Sequence, residues 1–141
     1  MDYYKTFEAI RVVFQQFVRN IPFYGLGIIC ADNKEAASLL QTVKDRALLS
    51  YGLSKDAQIR AFNLRYANNI ATFDLRIDAS VSDVISHPGL SGSDQILSDI
   101  TLPLVGDHNV SNAVAALVVG LKLGISFKNL IHAFDTFKGV K

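Results

Sequence analysis

The sequence predicts an α/β fold: a short parallel β-α-β unit, an antiparallel hairpin region and a terminal helix pair. Three features of the 141-residue chain carry this expectation. Helical and strand-like apolar patterns alternate up to Gly52. After it, residues 57–66 and 70–79 alternate apolar with polar side chains, a period of two that is the spacing of a half-buried strand. After Gly106 comes the longest helical pattern in the chain.

Residues 5–20 read as a helix, because Phe7, Ile10, Phe14, Phe17 and Ile21 recur on one face behind Thr6 as N-cap. Pro22 ends it, since helical geometry is disfavoured just before a proline. Residues 23–30 form a mostly apolar run, consistent with a strand covered on both faces. Asp32 then caps a second helix, with Glu35 at capping-box spacing and Ala36, Leu39, Leu40 and Val43 facing inward. Residues 48–51 supply the next strand and close a right-handed parallel crossover. Asp32 lies at the carboxyl end of the first strand, where open sheets bind ligands, so approach to a nucleotide is its alternative role.

Residues 57–66 and 70–79 alternate apolar with polar side chains, and Ala67-Asn68-Asn69 between them is a hairpin signal. Arg60, Arg65 and Arg76 fall on the solvent face, with a phosphate contact as the alternative reading. Residues 80–93 read as a loop containing an exposed His87, and residues 95–105 as a further strand. The long helix runs to Leu123 and stops at Gly124. Ser126 caps the last helix, whose inner face is Leu130, Ile131, Phe134 and Phe137, with His132 toward solvent.

The mouth of the long helix is the richest stretch: G-D-H-N-V-S-N-A-V-A-A over residues 106–116. Gly106 permits a sharp turn and Asp107 reads as the N-cap. His108, Asn109 and Asn112 share one side of the first turns, away from the apolar stripe of Val110, Ala113, Val114, Leu117, Val118 and Leu121. Two readings fit this polar cluster. It could satisfy the free N–H groups of the helix start, or its carboxamides could read a planar ligand, as Asn reads the donor–acceptor edge of adenine.

Composition narrows the class. Half the residues are hydrophobic, enough for a single core. A formal net charge of +1 with no basic run argues against nucleic acid and membrane surfaces as partners. Cys30 is the one cysteine, which rules out a disulfide framework and fits a cytoplasmic setting with the thiol packed inside. The apolar run 113–121 is too short to span a bilayer, and the first residues lead into an amphipathic helix rather than a signal sequence.

The pattern G-x-H-N-x-x-N-A-x-A-A resembles the nucleotide-base motif of the Mur ligases, ATP-dependent amino-acid ligases of bacterial cell-wall precursor synthesis. N-I-P-F-Y-G at 20–25, C-A-D-N at 30–33, Y-G-L-S-K-D-A at 51–57 and F-K-G-V-K at 137–141 lie in the order of its L-alanine-adding branch. The resemblance covers essentially the whole chain. It implies the second half of the central domain, with His108, Asn109 and Asn112 holding the adenine end of ATP. It also implies UDP-N-acetylmuramate, L-alanine and ATP with Mg as substrates and cofactor of a full-length enzyme working through an acyl phosphate. Asp107 departs from the pattern, because the family often has Arg there. No G-x-x-x-x-G-K-[ST] occurs, so nothing here cradles a triphosphate. Met1-Asp2-Tyr3-Tyr4 matches the residues just after the family's metal-binding His, and Lys141 falls before its third domain. The expectation is therefore a single partial domain, inactive alone, lacking the UDP-sugar domain, the phosphate loop and the C-terminal domain. A peptide-recycling ligase of the same family and a non-catalytic nucleotide-binding or interaction module are the alternatives.

Overall fold

The computed structural model describes residues 26–34, 36, 38 and 47–137. The first predicted helix, at 5–20, and most of the second lie outside the described residues. Five strands form one sheet in the order β1-β2-β3-β4-β5: β1 (Leu26–Cys30), β2 (Ala47–Gly52), β3 (Ile59–Ala67), β4 (Ile70–Ile77) and β5 (Gln95–Leu102). Two helices follow, α1 (Asp107–Lys122) and α2 (Phe127–Asp135).

The sheet is mixed. β1 pairs parallel with β2 along its length, as the β-α-β pattern predicts, and β3, β4 and β5 are antiparallel. The two halves are joined by a parallel contact of two residue pairs, Tyr51↔Ile59 and Gly52↔Arg60. Gln58 strengthens this short seam. Its side chain accepts from Ser50 N at 3.0 Å and donates to Ser80 Oγ at 2.9 Å, while its own N–H reaches Ser50 Oγ at 3.0 Å. Ser50 is buried, so these bonds satisfy groups that would otherwise be stranded.

The predicted hairpin is present. β3 ends at Ala67 and β4 begins at Ile70, so Asn68 and Asn69 form a two-residue turn. Their φ values of 54° and 62° are those of a type I′ turn, whose twist matches the flanking strands and which Asn tolerates well. Asn63 and Asp99, at φ 55° and 59°, mark register shifts on either side of β4. Asp74 on β4 ties both shifts together. It accepts from Asp99 N at 3.0 Å, Asn63 Nδ2 at 3.1 Å and Arg65 at 3.0 Å. The Asp99 N–H, then the Asn63 amide and Arg65, hold its carboxyl below the usual carboxylate range against a smaller burial effect.

Alternate residues of β4 (Ala71, Phe73, Leu75 and Ile77) share one core with the buried stripe of α1, which packs over β2 and β3 and of which Val110, Val114, Leu117, Val118 and Leu121 are at most 1% exposed. Each such side chain contributes roughly 1.5–3 kcal/mol by leaving water. α1 ends in a Schellman motif: Gly124, at φ 86°, donates to Leu121 O at 3.0 Å, and Ile125 N donates to Gly120 O at 2.9 Å. Ser126 Oγ then accepts from Asn129 N at 3.2 Å and caps α2, as its position predicts. Leu130 and Phe134 pack inward, while His132 is exposed. Phe137 lies beyond the helix and is 39% exposed, so it does not extend the inner face.

Several local expectations are corrected. The N-cap before Ala36 is Asn33, whose Oδ1 accepts from Ala36 N at 3.1 Å. Asp32 instead crosses to the β2–β3 loop and accepts from Leu53 N and Ser54 N at 3.0 and 2.7 Å. A Cβ on Gly52, at φ 142°, would stand 2.7 Å from that carboxylate, so only glycine lets the loop close on Asp32. The predicted loop at 80–93 begins with a short 3-10 helix (Ala79–Asp83), capped by Asp78. His87 is buried rather than exposed. Gly89 N donates to its Nδ1 at 2.9 Å, so Nε2 carries the proton and donates to Ile125 O at 2.8 Å. β5 stops at Leu102, because Pro103 has no N–H to continue the ladder. Cys30 is half-buried, with its sulfur beside the Tyr51 hydroxyl.

Candidate functional site

The chain leaves β5 and turns at Gly106, whose φ of 102° suits glycine and aims α1 back along the sheet. Gly106 is itself the N-cap, and it offers no side chain to the helix start. Asp107, expected as the cap, is the first helical residue, and its carboxylate accepts from the Tyr66 hydroxyl at the end of β3. Partial burial and the Asp107 carboxylate push the Tyr66 phenol up to about 12.

Asn109 does not satisfy a free N–H group either. Its Nδ2 donates backward to Val105 O at 2.8 Å, fixing the loop that enters the helix. Its backbone N–H and that of Val110 bond to Gly106 O at 3.1 and 3.2 Å. Asn112, one turn further on, is exposed, as is His108.

Asn109 and Asn112 stand together on the wall of a cavity of about 440 Å³ between α1, the end of β5 and α2. The rest of that wall is apolar: Leu102 and Leu104 from the end of β5 and the loop after it, Ala113 and Ala116 from α1, and Phe134 and Phe137 from α2 and its end. The structure therefore brings two of the three predicted residues to one slot, and His108 is not part of its lining. A slot with hydrophobic walls and a carboxamide at its edge suits a flat heteroaromatic group, with dispersion from the walls and a paired donor and acceptor from the amide.

The three strand arginines are engaged elsewhere. Arg65 bridges Asp74 and Asp99 at 3.0 and 3.1 Å, and Arg76 bridges Asp94 and Asp78 at 3.0 and 3.3 Å. Arg60 donates from Nε to Leu53 O at 3.1 Å and lies 5.4 Å from the centre of the Phe62 ring. Among the described residues no group of three or more His, Cys, Asp and Glu side chains could hold a metal ion. No described helix is long and apolar enough to cross a membrane.

Sequence reasoning missed Tyr66 and the aromatic wall from α2. Tyr66 sits 41 residues before Asp107, and only the outward phase of β3 hints at its place. Phe134 was legible as a core residue but not as a wall of the slot.

Comparison with known proteins bears on the fold and the family. A family model described as the Mur ligase middle domain matches residues 1–120. A UDP-N-acetylmuramate–L-alanine ligase of Cereibacter sphaeroides is 39% identical over 140 residues, covering 99% of this chain and 27% of its own. The enzyme of the same name from Rhizobium meliloti is 36% identical over 141 residues. The chain thus spans 27–28% of the length of these curated relatives. Among solved structures, MurF of Acinetobacter baumannii superposes with a TM-score of 0.69 at 22% identity over 95% of this chain and 25% of its own. A UDP-N-acetylmuramate:L-alanyl-gamma-D-glutamyl-meso-diaminopimelate ligase of Neisseria meningitides gives 0.64 at 20% identity, over 95% of this chain and 35% of its own. At that identity the likeness speaks for the fold, and the middle-domain match for descent: the chain belongs to the Mur ligase family.

Proposed function

We propose that the chain forms the C-terminal half of the central, ATP-binding domain of a ligase that joins L-alanine to UDP-N-acetylmuramate. Its share of the work is to hold the adenine end of ATP at the mouth of α1. The observation that supports this most is the exposed Asn112 carboxamide, beside Asn109, on a largely apolar slot. Its oxygen and amide suit N6 and N7 of adenine, and Asn109 borders the same wall. His108, exposed one residue before Asn109 and outside that lining, completes the adenine-end set. Identity of 36–39% over the whole chain to L-alanine ligases favours L-alanine as the amino acid.

In the complete enzyme the sugar carboxylate takes the γ-phosphoryl of ATP, and the amine of L-alanine displaces phosphate from the acyl phosphate. In this reading the triphosphate and its Mg are held by groups other than a phosphate loop of these 141 residues, which contain none. Residues 1–141 substituted for the matching segment of the Cereibacter sphaeroides enzyme test the reading. Phosphate release that needs UDP-N-acetylmuramate and L-alanine together supports it. Release that L-alanine cannot elicit, but the intact tripeptide can, would move the chain to a peptide-adding ligase.

A further inference from the structure

The start of α1 is held by an unusual tie. Its N-cap is Gly106, a glycine with no side-chain bond to offer. The first turn nonetheless carries Asn109, and Asn112 follows directly. Beyond its backbone bonds to Gly106 O, two side-chain bonds hold this turn in register with the slot. One is Asn109 Nδ2 to Val105 O, within the entering loop. The other is the Tyr66 hydroxyl to the Asp107 carboxylate, which reaches across from the hairpin strand β3. Of these, only the second reaches the sheet, where it adds a hydrogen bond to the packing of the buried Val110.

We infer that Tyr66 and Asp107 are a positioning pair for base recognition: the phenol donates to Asp107 and fixes the first turn of α1 where its carboxamides face the slot. The inference rests on the base-binding reading above. It goes beyond it by assigning a role to a strand residue and to the one position where the motif departs from its usual Arg. The pair also shapes what the mouth accepts. A carboxylate in the first turn offsets the positive end of the helix dipole, so the mouth favours an uncharged purine face over a phosphate. The phenol stays protonated as a donor through the physiological range, its pKa lying at about 12.

Nuclear magnetic resonance on the 141-residue chain, with adenosine as probe, tests this directly. The side-chain amide signals of Asn112 follow binding, and exchange of the Asn109 and Val110 N–H groups follows the first turn. Tyr66→Phe is expected to weaken adenosine about fivefold, the worth of one lost side-chain hydrogen bond, and to speed that exchange. Asp107→Ala should do the same, while Asp107→Asn, which keeps an acceptor oxygen, should restore both. The double variant Tyr66→Phe/Asp107→Ala should be no weaker than either single one. Unchanged affinity in Tyr66→Phe, with adenosine lost in Asn112→Ala, overturns the positioning role and leaves the base site standing. Equal loss in Asp107→Asn and Asp107→Ala overturns it too, because charge rather than the hydrogen bond would then matter. If adenosine leaves the parent's Asn112 signals unmoved, the base site falls and the pair falls with it.

Discussion

At the scale of the residue, the two carboxamides on the slot differ in what else they do. Asn109 gives a hydrogen bond to Val105 O, so Asn109→Ala removes a structural bond worth about 0.5–1.5 kcal/mol along with any ligand contact. Asn112 is exposed and lies off the buried stripe of α1, so Asn112→Ala should leave the unfolding free energy within about 0.5 kcal/mol of the parent's. In a complete ligase that carries the segment, the same change should weaken ATP by about 1–3 kcal/mol, the value of a bidentate base contact. GTP, with a carbonyl in place of the amino donor, should lose far less. Matching ATP affinities in variant and parent, by calorimetry or by KM, would remove Asn112 from the site. The motif spacing made these side chains legible, because a helix puts positions 109 and 112 on one face. It did not reveal that Asp107 abandons the cap for Tyr66, since no local pattern records a partner 41 residues away. His87 shows the same limit: its acceptor, Ile125 O, lies 38 residues further on and draws a loop histidine inside.

At the scale of the element, turn chemistry was the most readable signal. Asn68-Asn69 and Gly124 each require positive φ, and each stands where the sequence places a hairpin and a helix stop. What stayed hidden is how closely α1 and α2 approach. Gly120 lies in the middle of the α1 pattern, where glycine costs about 1 kcal/mol relative to alanine in an exposed helix. In the structure it is buried against Leu130, and a Cβ there would collide with that side chain's methyl groups. Gly120→Ala should therefore destabilise the chain by about 1–3 kcal/mol, against the gain that helix propensity alone forecasts. Since α2 supplies Phe134 to the slot, the same variant should also weaken adenosine binding. Thermal unfolding decides it. A stabilised Gly120→Ala chain would show that α2 yields and that the helices pack loosely.

At the scale of the molecule, the sequence showed a parallel half and an antiparallel half but not how they join. The seam is two residue pairs and the Ser50–Gln58–Ser80 bonds, and such a contact leaves no periodic trace. The antiparallel half is braced by carboxylates. Asp74 is held low by the Asp99 N–H, Asn63 and Arg65; Asp78 is held low by the Ser80 hydroxyl and N–H. A carboxyl whose folded pKa lies below its unfolded value stabilises the fold above about pH 3.9, and that contribution disappears as pH falls through the folded value. Thermal stability should thus be flat near neutrality and drop below about pH 4. The gap between parent and Asp74→Asn should shrink over the same acid interval, and a gap independent of pH would remove Asp74 from the account. The slot sets the last expectation, which is that the chain by itself neither hydrolyses ATP nor ligates L-alanine. Phosphoryl transfer is positioning and charge stabilisation by a phosphate loop, its lysine and Mg. The sequence has no such loop, and Arg65 and Arg76 are already bound to carboxylates. A base held by one or two hydrogen bonds and apolar walls, against an association cost of at least about 4 kcal/mol, gives millimolar affinity at best. Calorimetry with MgATP, beside a phosphate-release assay, should find adenosine and ATP bound equally weakly and no turnover above buffer. Micromolar ATP binding would mean a phosphate contact on this chain, and Arg60, whose guanidinium makes no ion pair with the described carboxylates, is where to look first.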